Sequence, residues 1–345
     1  MAALDPAVAA VRAALRRAVP ELQRVETKPS GPLALVACSG GADSMALASA
    51  VRFVLPRQGL QVGLVTVDHQ LQQGSAERAG RVGRWASEAG FDPVVVSTVE
   101  VEGRTGGPEA AARDARYEAL GAAALAHGAA AVLLGHTRDD QAETVLLALV
   151  RGAGPRGLAG MPVRRLRHGV VFVRPLLGVA RAQTRAACQA EGLPVWEDPH
   201  NADPAYRRTH ARALLATLTD HLGPVVVDNL ARTATLLAAD TSALDALARR
   251  AARRAATSDG GLLVPVLLRL PDAVRTRVLH RWARALGVPG SALSHRHVTA
   301  LDALVTRWHG QGPVALPGGT LVVRHRDVVS VVGPDARTDS RGDRE

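Results

Sequence analysis

Residues 33–47 read LALVACSGGADSMAL, an apolar run that breaks at a turn containing two glycines and then resumes with helical spacing. Apolar residues without alternation, as at 33–38, are typical of a strand that is buried on both faces. The glycines let the backbone turn sharply, and the first N–H groups of the following helix then point into the turn, where they favour an anion. The stretch therefore predicts a strand, a phosphate-binding turn and a helix.

The turn does not match the phosphate loop of kinases and GTPases. That loop requires Gly-Lys-Ser or Gly-Lys-Thr, and Lys28 is the only lysine of the chain. Asp43 follows the turn, and a carboxylate next to a phosphate is favourable chiefly when a divalent metal lies between them. A tight turn without a ligand is the alternative interpretation of the glycine pair alone.

Composition limits the class of protein. The chain has 345 residues, enough for two domains, and 47% of them are hydrophobic while only 3% are aromatic, so Val, Leu and Ala must form the core. No apolar run reaches the ~20 residues that a membrane crossing requires, and we expect a cytoplasmic protein with no membrane partner. Cys38 and Cys188 are far apart and predict neither a disulfide framework nor a metal cluster.

The formal net charge of +10 is carried almost entirely by arginine. The planar guanidinium group matches the geometry of phosphate, so this charge suits a polyanionic partner. A genome that favours arginine codons would produce the same composition, and composition alone does not separate the two interpretations.

Short apolar runs alternate with helical periodicity in the first half of the chain. After the opening strand, further strands are predicted at residues 60–67, 93–97, 131–135 and 170–174. This alternation indicates an α/β fold with a five-stranded parallel, doubly wound, Rossmann-like sheet. We expect that domain at residues 1–215, a mainly helical domain with a short β element at 216–335, and a disordered tail at 336–345.

Polar side chains follow three of the predicted strands, at the edge where such sheets bind their ligands. Residues 39–43 follow the first strand, Asp68 and His69 follow the second, and GHTRDDQAET at 135–144 follows the fourth. We therefore expect the ligand site at this edge of the sheet.

The segment after the fourth strand has the densest chemistry. Asp140 and Glu143 share one face of the predicted helix, and His136 precedes that face. An imidazole beside two carboxylates suits proton transfer or metal binding. The alternative is that Asp139 and Asp140 only favour the helix N-terminus through its dipole, which does not explain Glu143.

Several arginines lie near this edge. Arg113 and Arg116 are one turn apart on a predicted helix, and either could reach the sheet. The glycine-rich loop at 151–160 is of a kind that closes over substrates, although a plain connector fits its composition equally well. The basic run at 206–212 suits phosphate contact or a solvated helix face.

The turn SGGADS at residues 39–44 resembles the pyrophosphate-binding loop of the N-type ATP pyrophosphatases, the PP-loop superfamily. Further motifs resemble, in order, those of the tRNA(Ile)-lysidine synthetase family. They are DHQL at 68–71, ARDARY at 112–117, GHTRDDQAET at 135–144, RGAG at 151–154 and RPLL at 174–177. The resemblance spans residues 33–212, and it departs from the usual Arg and Asn of the family at Gln72 and Thr209.

The resemblance implies a ligase that forms a carbon–nitrogen bond. In this family the C2 oxygen of the wobble cytidine of tRNA(Ile) with a CAU anticodon attacks the α-phosphate of ATP. Free L-lysine then displaces AMP to give lysidine. The implied cofactors are ATP and Mg²⁺. Dimers occur in the family, which makes a homodimer one possible assembly, and the sequence leaves the oligomeric state open.

The resemblance also implies roles for individual residues. The catalytic residues are Asp43, Arg116, His136, Asp140 and Glu143. The residues that bind ATP are Ser39, Gly40, Gly41, Ala42, Asp43, Ser44, Asp68, His69 and Gly135, and Asp43 also binds Mg²⁺. The residues that contact lysine or tRNA are Arg113, Arg151, Arg174, Arg208 and Arg212.

Three other functions fit parts of the pattern. A tRNA thiolase shares the loop but relies on paired cysteines, which Cys38 and Cys188 do not supply. A nucleotide synthetase linked to a glutaminase would need a partner with a reactive cysteine. An arginine-rich RNA-binding protein on an inactive scaffold would keep its function when Asp43 or Asp140 is lost.

Overall fold

The computed structural model describes residues 4–23, 32–70, 74–100, 108–196, 207–290 and 292–332. The chain divides into two compact units, residues 1–238 and 239–345. Gln72, residues 197–206 and the expected tail at 336–345 lie outside the described residues. The domain boundary expected between residues 215 and 216 stays a prediction.

The first unit contains a six-stranded sheet. Its strands are β1 (Leu33–Ala37), β2 (Gln61–Asp68), β3 (Val94–Thr98), β4 (Ala131–Leu134), β5 (Arg164–Arg167) and β6 (Val170–Val173). The strand order is β3-β2-β1-β4-β6-β5, and all neighbours are parallel except β5 and β6. The five predicted parallel strands are confirmed, and the sheet is mixed because a sixth, antiparallel strand forms its edge.

The sequence analysis missed β5 because its side chains carry no apolar signal. The strand reads RRLR, and three of its four residues are exposed. Its position follows from a two-residue hairpin turn, in which His168 and Gly169 both have positive φ, 48° and 78°. Such a turn matches the twist of the strands on either side, so the chain folds back directly into β6.

The central strand β1 explains why its sequence does not alternate. Ala34 and Val36 belong to the hydrophobic cluster on one face of the sheet, whereas Leu33 and Leu35 belong to the cluster on the other. β1 pairs with β2 on one side and with β4 on the other. From β1 the chain proceeds through β2 and β3 towards one edge of the sheet, and with β4 it continues on the opposite side of β1. The end of β1 therefore lies where the strand order changes direction, which is the usual ligand crevice of α/β folds.

Helices precede, connect and follow the strands of the first unit, and the last of them continues into the second unit. They are α1 (Pro6–Gln23), α2 (Ala42–Val54), α3 (Ser75–Glu88), α4 (Pro108–His127), α5 (Arg138–Val150), α6 (Pro155–Leu158), α7 (Arg181–Ala190), α8 (Arg207–Leu222) and α9 (Val225–Ala255). α1, α2 and α7 pack together over one face, and α4 lies on the other. Among the described residues, no helix has the length and apolar composition that a membrane crossing needs.

The second unit combines short helices with a small sheet. Its further elements are β7 (Leu262–Leu263), α10 (Val264–Leu268), α11 (Asp272–Ala285), α12 (His295–Thr306), β8 (Val314–Ala315), β9 (Leu321–His325) and β10 (Val328–Val331). The strands are antiparallel in the order β7-β10-β9-β8, and Leu301, Val322 and Val329 lie fully buried between helix and sheet. The expected helical C-terminal region with a short β element is confirmed.

Gly63 provides a test of how tightly the sheet is packed. A Cβ atom added at this residue of β2 would lie 2.6 Å from Leu35 Cδ2 and 2.7 Å from the carbonyl oxygen of Pro93. We expect Gly63→Ala to lower the free energy of unfolding by ~1–3 kcal/mol in urea titrations, because backbone and core must shift. The control is Gly121→Ala in α4, where no described atom lies within 4 Å of the added carbon. This control should gain up to ~1 kcal/mol from helix propensity, and equal stability of the two variants would contradict the packing argument.

Candidate active site

The turn after β1 is held in shape by Ser44. Its hydroxyl accepts a hydrogen bond from the backbone N–H of Ser39 at 3.2 Å and donates one to the carbonyl oxygen of Gly41 at 2.9 Å. Gly40 has a φ of 86°, which glycine adopts without strain. Gly41 is the N-cap of α2 and has no side chain that could cap the helix. The first N–H groups of α2 are therefore left for an anion.

Gly135 brings the end of β4 against this turn. A Cβ atom at this position would lie 3.0 Å from the carbonyl oxygen of Asp43 and 3.1 Å from the Cα atom of Ser44. These neighbours are backbone atoms, which cannot rotate away, so glycine is required for the close approach. The segments after β1 and β4, which the sequence predicts to share one edge, thus form one site.

Three helices of the first unit contribute charged side chains to this site. Asp43 comes from the first turn of α2, Asp140 and Glu143 come from α5, and Arg181 begins α7. Arg181 Nη2 lies 2.9 Å from Asp140 Oδ1 and 3.2 Å from Glu143 Oε1, and Arg181 Nε lies 3.6 Å from Asp43 Oδ2. The backbone N–H of Arg181 also donates to Asp139 Oδ2 at 2.8 Å. One guanidinium group therefore joins three carboxylates.

Two buried atoms at the site are left without a hydrogen-bond partner among the described residues. Glu143 is only 1% exposed, and its Oε1 accepts from Arg181 and, at 3.0 Å, from Arg212 Nε. Its Oε2 has no partner, nor has Nδ1 of His136. Because buried polar atoms are nearly always hydrogen-bonded, such atoms indicate contacts that a ligand or a water molecule completes.

The carboxyl group of Asp43 is held in a site that disfavours its charge. Burial raises the pKa of Asp43 to about 6, a hydrogen bond from the Thr184 hydroxyl opposes the shift, and the negative charge of Asp140 adds to it. A bound cation would reverse this shift. The ligand-free site is therefore suited to receive positive charge next to the phosphate turn.

The pKa values of Asp140 and His136 are both lowered, which keeps Asp140 charged and His136 neutral. Burial acts to raise the pKa of Asp140, but Arg181, His136 and hydrogen bonds from Thr137 outweigh it and lower the pKa. Burial lowers the pKa of His136 to about 3, and nearby arginine charges add to the effect although Asp140 opposes it. At neutral pH the site thus presents a carboxylate beside an uncharged imidazole.

Arginines gather on the other side of His136. Arg174 is only 1% exposed and donates to Tyr117 Oη at 2.9 Å and to the carbonyl oxygen of Pro162 at 2.8 Å. The guanidinium group of Arg113 lies 5.2 Å from the centre of the Tyr117 ring. Burial lowers the pKa of Arg113; Tyr117 opposes this shift, and the positive charges of Arg208 and Arg174 add to it. Cations this close together favour an anionic ligand such as a phosphate.

The chain resembles known proteins in both of its units. Residues 15–218 match the PP-loop domain, and residues 262–329 match the TilS substrate binding domain. The chain belongs to the tRNA(Ile)-lysidine synthase family. A protein of this name from Salinispora tropica is 60% identical over 338 residues, which cover 98% of this chain and 100% of the relative. Another from Streptomyces coelicolor is 51% identical, over 92% of this chain and 98% of the relative.

A solved structure is similar to this chain in fold. The U34-tRNA thiolase NcsA from Methanococcus maripaludis, solved with its [4Fe-4S] cluster, aligns with 65% of this chain and 80% of its own length. The TM-score is 0.50 and the sequence identity is 15%, so the likeness concerns the fold alone. In this lysidine synthase family member, Cys38 and Cys188 are both free and buried.

Most of the residues that the lysidine synthase motifs predict lie together. Those around the phosphate turn, the carboxylates and the arginines near His136 are Ser39, Gly40, Gly41, Ala42, Asp43, Ser44, Gly135, His136, Asp140, Glu143, Arg113, Arg174, Arg208 and Arg212. Their individual roles stay predictions.

The remaining predicted residues have hydrogen-bond partners other than the site carboxylates. Asp68 is buried at the end of β2, where its Oδ1 accepts from the N–H of Gln70 at 2.9 Å. Arg116 is exposed and its Nε donates to His69 Nε2 at 3.2 Å. Arg151 ends α5 and donates to the carbonyl oxygen of Leu147 at 2.8 Å. The helix rise puts Arg151 roughly 16 Å along α5 from the carboxylate in its first turn.

The sequence analysis missed two residues of the site, Arg181 and Thr184. Both lie in the first turn of α7, and Thr184 donates to Asp43 across 141 residues of sequence. A signal was present, because a cation at the first position of a helix opposes the helix dipole. Such a residue indicates that carboxylates from elsewhere in the fold lie next to it.

The raised pKa of Asp43 predicts that Asp43→Asn stabilises the ligand-free protein at neutral pH. The carboxyl group has a pKa of about 6 in the fold and ~3.9 in an unfolded chain, so its ionisation opposes folding fully above pH 6 and not at all below about pH 4. We expect the free energy of unfolding to rise by on the order of 1–3 kcal/mol at pH 7 and to be unchanged at pH 4. Arg181 keeps its two closer carboxylates in this variant.

Urea titrations at pH 4, 5.5 and 7 measure this effect. Asp228→Asn is the control, because Asp228 has a 50% exposed side chain, paired with Arg138 at 2.8 Å, and such a substitution changes stability by less than ~0.5 kcal/mol. A loss of stability for Asp43→Asn at pH 7 would contradict the electrostatic account.

Proposed function

We propose that the protein ligates free L-lysine to C2 of the wobble cytidine of tRNA(Ile) with a CAU anticodon, consuming ATP and releasing AMP and diphosphate. The observation that carries the proposal is the buried Oε2 of Glu143, which has no partner among the described residues and belongs to a carboxylate pair beside a phosphate turn. An oxygen of this kind suits an ammonium or amine ligand. The identity of 60% with a protein named tRNA(Ile)-lysidine synthase supports the same reaction.

The first step suits the turn and the arginines. The C2 oxygen of cytidine forms a bond to the α-phosphorus of ATP, and the bond from that phosphorus to diphosphate breaks. The N–H groups at the start of α2 would hold the departing diphosphate. Arg113, Arg174 and Arg208 would stabilise the negative charge on the α-phosphate, since they lie near one another on the side of His136.

The residues present fit a magnesium ion that is shared with the substrate. Mg²⁺ typically takes one or two carboxylates and completes its shell with water and substrate phosphates. Asp43 would hold the ion, since burial beside the turn raises its pKa, whereas no group of three or more candidate ligands exists among the described residues. When bound, the ion would offset negative charge on the phosphates.

The second step suits the carboxylates. The ε-nitrogen of lysine forms a bond to C2 and loses a proton, while the bond from C2 to the phosphate oxygen breaks and AMP leaves. Glu143 Oε2 would accept a hydrogen bond from the amine and orient it, and the carboxylate pair would take up the proton. His136, neutral at the pH of the reaction, would lie against the adenylated base without adding positive charge beside the amine.

The proposal also covers the cellular location and the assembly of the protein. An enzyme that modifies tRNA is expected in the cytoplasm, and a homodimer is one assembly compatible with the proposal. The competing hypothesis is an RNA-binding protein on an inactive scaffold, which would need neither the carboxylates nor the phosphate turn.

The decisive measurement is incorporation of labelled lysine into tRNA in the presence of ATP. We expect incorporation with the wild-type chain and none with Asp43→Asn, which should also lose ATP–pyrophosphate exchange stimulated by tRNA. Its affinity for tRNA should stay within about threefold, because one carboxylate contributes little to phosphate contacts. Asp228→Asn is the matched control and should retain both activities. Unchanged exchange by Asp43→Asn would rule out the proposed role of that carboxylate.

Glu143→Gln should separate the two steps. Glutamine keeps the shape of the side chain and an oxygen for Arg181 and Arg212, but it cannot take up a proton. We therefore expect tRNA-dependent ATP–pyrophosphate exchange to stay within about threefold, while the rate of lysine transfer falls by ~100-fold or more. Equal losses in both assays would assign Glu143 to the phosphate chemistry instead.

A further inference from the structure

We propose that Arg181 is a positioning residue for the lysine-transfer step, in which it holds Asp140 and Glu143 in one arrangement and leaves Glu143 Oε2 open to the amine. The inference rests on the proposed function and deepens it, because it names the group that builds the amine subsite.

The four oxygens of the Asp140 and Glu143 carboxylates have different hydrogen-bond partners. Asp140 Oδ2 accepts the N–H of Thr137 at 2.7 Å and its hydroxyl at 2.9 Å, and Asp140 Oδ1 accepts from Arg181. Glu143 Oε1 accepts from Arg181 and Arg212, while Glu143 Oε2 accepts from no described residue. Three of the four oxygens are thus occupied, and their hydrogen bonds determine the orientation of the fourth.

Arg181 is the residue that joins the pair. Its Nη2 contacts both carboxylates of the pair, Asp140 and Glu143, whereas Arg212 Nε contacts the second of them. Its side chain is 18% exposed, compared with 39% for Arg212, so its charge is less screened by water. The planar guanidinium group can bridge two carboxylates at fixed angles, which an ammonium group does less well.

The start of α7 is anchored so that Arg181 cannot easily move away. Its backbone N–H is bonded to Asp139, and the hydroxyl of Thr184 is bonded to Asp43. Two residues before α7, Val179 accepts at 2.9 Å from the N–H of Arg138, the first residue of α5. Backbone and side-chain contacts therefore tie α7 to α2 and α5 at the point where the guanidinium enters the site, as a preorganised site requires.

A purely structural role is the competing explanation, since removing one partner of a buried ion pair destabilises a fold. The two roles differ in what they change. A positioning residue alters the response of the enzyme to lysine, whereas a structural residue lowers the melting temperature and the amount of active enzyme without a selective effect on one substrate.

The experiment compares Arg181→Gln and Arg181→Lys with Arg12→Gln. Arg12 is a matched control because its Nη2 lies 2.7 Å from Glu191 beyond the other end of α7, and its side chain is 13% exposed. For each variant, the measurements are the melting temperature, tRNA-dependent ATP–pyrophosphate exchange, and kcat and KM for lysine and for ATP. Arg181→Lys keeps the charge and protects the test against a failure of Arg181→Gln to fold.

We expect Arg181→Gln to raise the KM for lysine by about tenfold or more and to lower kcat of lysine transfer, with exchange and the KM for ATP within about threefold. Arg181→Lys should restore kcat in part but leave the KM for lysine raised, because an ammonium group reaches one carboxylate well and not both. Arg12→Gln should lower the melting temperature and leave the KM for lysine unchanged.

A double variant makes the test sharper. If Arg181 acts through Glu143, Arg181→Gln combined with Glu143→Gln should lose no more than about threefold beyond the worse single variant, whereas independent losses would multiply. An unchanged KM for lysine in both Arg181 variants, or multiplied losses, would overturn the proposal. If the wild-type chain incorporates no lysine while it still exchanges pyrophosphate, the proposed function itself fails, and this outcome is distinct from those of the variants.

Discussion

The close contact of Gly135 with the backbone of Asp43 and Ser44 is the constraint on which the rest of the site depends. It lets the end of β4 lie against the start of α2, with no side chain between them. α5 then begins next to α2, and the carboxylates of both helices come within reach of Arg181. A methyl group at this position would press on backbone atoms, and the phosphate turn and the carboxylates could not keep their present distance.

Negative and positive side chains form separate groups in the site, because they come from different helices and strands. Carboxylates converge where α2, α5 and α7 begin, and arginines from α4, α8 and the end of β6 lie beyond His136. Asp140 is held in its charged form and His136 in its neutral form by these neighbours. One chain can therefore offer anions to an amine and cations to a phosphate within one crevice.

How much of the fold and of the site could be predicted from the sequence depends on how far apart in the chain the interacting residues lie. The five parallel strands follow from apolar runs, and the phosphate turn follows from a local pattern of glycine, serine and aspartate. β5 could not be found in this way, because RRLR is exposed and its pairing is set by the hairpin turn. Arg181 was missed for a different reason. A cation in the first turn of a helix indicates that carboxylates lie nearby, but its partners come from helices 38 or more residues away in sequence, and no local pattern identifies them.

The site also shows why ligand binding and stability are linked in this fold. Asp43 keeps a buried carboxylate at a cost to the folded state, as the raised pKa shows. The unpaired Glu143 Oε2 and His136 Nδ1 add the cost of buried polar atoms without hydrogen bonds. Arg181 offsets part of this cost, because its positive charge compensates part of the charge of the carboxylates while leaving one oxygen open. Substrates that supply a cation and hydrogen-bond donors would remove the remaining free-energy cost. The features that destabilise the ligand-free site are therefore those that favour the bound state.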